Sequence, residues 1–333
     1  MSDSLLATAF ALGAAVSLAT SWLLVSRLER VGARLGLTEG LLGMVAALAA
    51  DAPELTAAVT ALAGHHARIG AGVVIGSNVF NLAALLGLGA VVAGQIALHR
   101  RVVVLEGVVA VAVAAACVLV VAGTISAPAG LIAVIAVLTP YVALLAMRRD
   151  RLARLGIPRT WRRWLAQAIH EEELELEVAI HPRPALLRDE VVAAVAVAVV
   201  VGASIVMGQA ASKLGARHGV PQIVIGGLVL AAITSLPNAV AAVYLAARGR
   251  GAAALSTAMN SNALNVAAGL LLPASFVGLG ATSASATFVA LYYLGLTALV
   301  LASAYLRSGL NRLQGVLIVC AYAAFVSALL AIT

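Results

Sequence analysis

Two pairs of short stretches decide the fold. The first is Ala50-Asp51-Ala52-Pro53-Glu54 followed by Gly76-Ser77-Asn78-Val79-Phe80-Asn81; the second is Thr234-Ser235-Leu236-Pro237-Asn238 followed by Asn260-Ser261-Asn262-Ala263-Leu264-Asn265. Pro53 and Pro237 are 184 residues apart, and so are Asn81 and Asn265. Each proline falls near the middle of a long apolar run, where it removes a main-chain hydrogen bond and clashes with the preceding turn. In lipid, carbonyls freed in this way must face protein or a polar cavity. Two breaks at one spacing therefore predict interrupted helices that meet at mid-membrane and present carbonyls, hydroxyls and amides to each other.

The rest of the chain supplies the membrane setting. Of its 333 residues, 63% are hydrophobic and 11% charged, and the mean hydropathy is +1.07, well beyond what a soluble core requires. About 20 apolar residues cross the hydrocarbon layer as a helix. Runs of this kind at 5–26, 38–64, 70–93, 102–121, 127–146, 191–211, 220–246, 252–277, 282–304 and 313–332 predict ten spans. Nothing basic precedes the first run and no cleavage site follows it, so it reads as a span and not as a removed signal peptide.

A net charge of +7 does not point to nucleic acid, because the basic residues sit between the apolar runs and report orientation. With the N-terminus outside, 18 of the 21 lie in inside loops; only Arg68, Lys213 and Arg217 lie outside. Both termini are then outside and the long central connection is cytoplasmic, in the inner (plasma) membrane of a bacterium or archaeon. Five helices per half is an odd number, so the second copy enters the membrane in the opposite orientation. The expected fold is an all-α polytopic membrane protein of ten transmembrane helices in two inverted five-helix repeats, with helices 2 and 7 broken. The first repeat occupies 1–147, a linker 148–189 and the second repeat 190–333. The linker is basic, then acidic (Glu171, Glu172, Glu173, Glu175, Glu177), and reads first as a solvated charged hairpin, second as an amphipathic helix on an anionic leaflet. Cys117 and Cys320 read as packing residues.

Ten of the 14 acidic residues fall in termini or loops, Glu29 among them, while Glu39 and Glu106 lie near helix ends within reach of the interface. Only Asp51 and Glu54 are deep. A charged carboxylate at the bilayer centre costs about 2.5–3.5 kcal/mol on insertion scales, so two of them one helical turn apart require a function. Hard divalent cations take oxygen ligands, carboxylates and carbonyls included. Asp51 and Glu54, with Ser77, Asn81, Thr234, Ser235, Asn238, Ser261 and Asn265, supply such a set.

At these residues the chain resembles the cation/calcium exchanger superfamily, which includes the sodium/calcium exchangers. The stretch Gly76 to Asn81 is the strongest match, and the ten-helix layout extends the resemblance over nearly the whole chain. The resemblance implies alternating access by sliding of helices one and six past an ion-holding core, with one acidic principal ligand from each half. Those positions here are Glu54 and Asn238, so this chain has an amide where the family usually has Glu. Asn265 stands where many members have Asp, and Asp51 stands where Ser or Asn is common. The deep charge has moved into one half.

Three readings remain open. The first is a secondary antiporter exchanging calcium for sodium or protons; the second, a monovalent sodium/proton exchanger; the third, a non-transporting ion sensor or scaffold. All involve small cations and membrane lipid, a monomeric unit, no nucleic acid and no cofactor. Nucleophile–base pairs, metal-ligand histidine clusters and phosphate loops are missing from the sequence, which speaks against an enzyme.

Overall fold

A computed structural model describes residues 2–147, 156, 158–179 and 187–333. The first half contains α1 (Asp3–Arg34), α2 (Glu39–Ala50), α3 (Ala52–Ala63), α4 (Ala67–Ala93), β1 (Gln95–Ala97), α5 (Arg100–Val121) and α6 (Ala127–Leu145). One described linker helix, α7 (Arg159–Ala179), follows. The second half contains α8 (Leu187–Arg217), α9 (Gln222–Thr234), α10 (Leu236–Ala247), α11 (251–277), α12 (Ala284–Arg307), β2 (Gly309–Asn311) and α13 (Arg312–Ile332). Among the described residues, seven helices are long and apolar enough to cross a membrane, and up to nine if each bent pair is one span. Helix α11 is not among them, because Asn260, Ser261, Asn262 and Asn265 interrupt its apolar run.

The prolines act differently from a kink inside one helix. The chain bends by 55° between α2 and α3 and by 49° between α9 and α10. Pro53 and Pro237 each sit in the first turn of the following helix. There the missing N–H has no partner to lose and the fixed φ suits helix initiation. The joints are Asp51 (φ −78°, ψ −6°) and Ser235 (φ −82°, ψ −4°), which hold nearly the same backbone conformation. Carbonyls freed at the first joint are met by α1, where Ser21 Oγ donates to Ala49 O at 3.1 Å.

Helices α1 and α8 lie side by side with opposed direction. Asp3 at the start of α1 pairs with Arg217 at the end of α8 (2.7 Å), while Arg27 and Arg30 near the end of α1 pair with Asp189 at the start of α8. Between these ends, Ser17 and Ser204 share a buried hydrogen bond of 2.8 Å. These ion pairs explain why α1 continues to Arg34, past the end expected near residue 26.

The core is centred on α4, whose apolar window is 94% buried, against 22% for α1 and 28% for α8. Main chains of α4 and α9 touch: a Cβ at Gly76 would lie 2.3 Å from Gly227 O, so only glycine fits this crossing. Helices α4 and α11 both widen into a π-helical turn at the motif asparagine, over Leu82–Leu88 and Asn265–Leu271, a distortion common at functional sites. The short strands β1 and β2 pair antiparallel, Gln95 opposite Asn311.

Four expectations need correction. The linker is not a solvated hairpin over 159–179: α7 is a helix that packs against α2, α5 and α11, with Ala168 and Ile169 buried. The basic run at 148–155 and the side chains of 171–177 lie outside the described residues. Glu106 does not reach an interface. It is buried in α5, with Tyr141 Oη 2.7 Å from its Oε1 and 2.9 Å from Asn260 Oδ1. Glu29 lies inside α1 and not in a loop. Cys117 is buried, as a packing residue would be, whereas Cys320 is exposed on α13.

Candidate cation site

The two joints place four side chains face to face. Asp51 and Glu54 come from the first joint and its following turn, Ser235 and Asn238 from the second, and all four are at most 1% exposed. The pairs cross: Ser235 Oγ donates to Glu54 Oε1, and Asn238 Nδ2 donates to Asp51 Oδ1. Because the joint residues share one backbone conformation and one spacing, the side chain one turn on from each joint faces the other joint.

Helix α11 closes one side. Ser261 Oγ donates to Asp51 Oδ1 at 2.7 Å, and Asn265 Nδ2 donates to Glu54 Oε2. Helix α4 lies behind, where Asn81 Nδ2 donates to Ser261 Oγ (3.1 Å) and to Asn262 Oδ1 (3.0 Å). Every residue in this network is buried. The donors to both carboxylates are neutral hydroxyls and amides, with no Arg, Lys or His among the described residues bonded to either acid.

Seven of the nine residues named from the sequence thus join one network: Asp51, Glu54, Asn81, Ser235, Asn238, Ser261 and Asn265. The other two are buried beside it but bond elsewhere. Ser77 Oγ reaches Ala231 O at 3.5 Å, and Thr234 Oγ1 donates to Leu230 O at 2.9 Å. Sequence reasoning missed Asn78 and Asn262, although they stand at the same spacing inside both quoted motifs. Each donates its side-chain amide to the other's carbonyl, and Asn265 Nδ2 also reaches Asn78 Oδ1 at 3.2 Å.

Three buried oxygens of the network, Asp51 Oδ2, Asn81 Oδ1 and Asn265 Oδ1, receive no hydrogen bond from a described residue. Buried acceptors without donors are costly and uncommon. One of them on a carboxylate and two on amides beside the carboxylate pair suit a hard cation that oxygen ligates. No cluster of three or more His, Cys, Asp or Glu exists among the described residues.

Comparison with known proteins bears on the fold and the family. The chain is 35% identical over 83 residues to CaxA of Alkalimonas amylolytica, whose name describes an antiporter; the stretch is 25% of this chain and 26% of that protein. Its fold is similar to that of the sodium-calcium exchanger NCX_Mj, at 20% identity and a TM-score of 0.60 over 98% of this chain and 99% of that one. It is similar also to the H+/Ca2+ exchanger CAX, at 12% identity and a TM-score of 0.70 over 96% of this chain and 81% of that one. The sodium/calcium exchanger protein family matches residues 5–148 and 191–331. The chain belongs to that family, and is accordingly an integral membrane protein.

Proposed function

We propose that the chain exchanges a divalent cation, calcium foremost, for sodium or protons by alternating access around Asp51 and Glu54. The observation that carries this reading is a pair of buried carboxylates to which the described residues donate only from neutral groups, with a donor-less oxygen on Asp51 and two more on Asn81 and Asn265 beside the pair. Two negative charges balance one divalent ion, two monovalent ions, or protons taken up when the metal leaves. Asp51 and Glu54 are the charged ligands. Ser77, Asn81, Thr234, Ser235, Asn238, Ser261 and Asn265 supply neutral oxygens, the amides of Asn238 and Asn265 turning so that oxygen replaces nitrogen toward the ion. No cofactor takes part.

The architecture proposed with it is ten transmembrane helices in two inverted repeats, 1–147 and 190–333, joined by the linker 148–189. The opposed direction of α1 and α8, and the matching joints at Asp51 and Ser235, support the inversion. Both termini then lie outside an inner membrane, the linker is cytoplasmic, lipid surrounds a monomeric unit, and α1 and α8 slide together against the core.

Sodium/proton exchange is the second reading. It is favoured by Asn238, which leaves the second half without an acid at the joint. Calcium uptake into everted vesicles, driven by outward sodium or proton gradients, separates the two. Uptake that Glu54→Gln abolishes supports calcium exchange, whereas sodium-dependent proton flux with no calcium uptake supports the second.

A further inference from the structure

Two cavities flank the site, and they occupy corresponding places in the two halves. One, of about 390 Å³, lies among α1, α2, α10 and α11; the other, of about 570 Å³, lies among α3, α8 and α9. Their linings match at the 184-residue spacing: Ala46 corresponds to Leu230, Ala241 to Ala57, and Glu29 to Lys213. The first cavity reaches the site, since Pro237 and Asn238 line it. The second stops short, because the counterparts Pro53 and Glu54 are not in its wall.

The charges at the matched position are opposite. Glu29 is half-buried and Lys213 exposed, and neither has a hydrogen bond or ion pair with a described residue. The basic residues near Glu29 on α1, Arg27 and Arg30, are occupied by Asp189, and Arg217 near Lys213 is occupied by Asp3. His66 also lines the second cavity. A carboxylate that holds no direct ion pair favours cations in a low-dielectric cleft, an effect that the neighbouring Arg30 tempers at Glu29, and an ammonium repels them.

We infer that Glu29 and Lys213 set a directional bias on ion access: the Glu29 cavity recruits the divalent cation, and the Lys213 cavity disfavours its capture and favours its release. This rests on the antiport reading above. Neither side chain is a ligand in the central network, so each acts on entry and exit and not on the bound ion.

The test measures initial calcium flux in right-side-out and everted vesicles, so that each face is supplied in turn at low ionic strength. Glu29→Gln is expected to raise the apparent KM roughly three- to tenfold on the Glu29 face, as for one unit charge acting on a divalent ion at close range in water-like dielectric, and to leave the Lys213 face unchanged. Lys213→Gln lowers KM on its own face. Glu29→Asp stays close to the wild-type value, and high salt erases both effects. An equal change on both faces, or none at low salt, overturns the inference. Wild-type flux that Glu54→Gln abolishes shows that the antiport reading stands in that event; absence of any wild-type calcium flux overturns both.

Discussion

Asn78 and Asn262 each donate a side-chain amide to the other's main-chain carbonyl, at 3.1 and 3.2 Å. The two residues stand 184 positions apart in corresponding motifs, so this reciprocal pair ties α4 to α11 directly beneath the carboxylates. It fixes the relative height of the helices that supply Asn81, Ser261 and Asn265.

Replacing either asparagine by Ala removes its amide's bond to the partner's carbonyl and leaves without an acceptor the amide that its own Oδ1 receives, Asn265 Nδ2 at Asn78 and Asn81 Nδ2 at Asn262. The expected cost is about 1–3 kcal/mol, seen as a lower melting temperature in detergent. The double variant should lose less than the sum of the singles, because the two bonds share one contact. Strict additivity would show that the pair is not coupled.

Gly76→Ala should be more damaging than its size suggests. The added Cβ would meet Gly227 O at 2.3 Å and Gly227 Cα at 2.5 Å, main-chain atoms that cannot rotate away. Overpacking of this kind costs about 1–3 kcal/mol. Gly202→Ala on α8 meets nothing within 4 Å and should be neutral or slightly stabilising. Equal melting temperatures for the two variants would contradict the close α4–α9 crossing.

Much of this was legible in the sequence, and the limits have physical causes. Apolar runs and the spacing of two prolines located the breaks because lipid permits few alternatives for an interrupted helix. Position along a helix was a poorer guide to burial. Glu106 stands six residues into α5, yet α7 and α11 pack over that end and enclose it. Asn78 and Asn262 were passed over because an amide that bonds main chain has the same sequence signal as one that holds an ion. The correspondence of Glu29 with Lys213 was visible in the numbering, but only the two cavities give it meaning.

Tyr141 should matter through its hydroxyl. It bridges Glu106 and Asn260, and Asn260 in turn donates to Ser256 at 3.0 Å. Tyr141→Phe removes one hydrogen-bonding group from two buried partners and should lower stability by about 1–3 kcal/mol. In a Glu106→Gln background the same change should have a different cost, because the two side chains are in contact. Identical melting shifts in both backgrounds would exclude the bridge.

The central claim is that a divalent cation binds between Asp51 and Glu54. Isothermal titration of calcium into purified wild type, Asp51→Asn and Glu54→Gln tests it most directly, with sodium and magnesium titrated in parallel. Saturable calcium binding by wild type is expected, weakened at least about tenfold in either variant, since each removes one of only two charged ligands. Calcium binding that both variants retain at wild-type affinity would contradict the account.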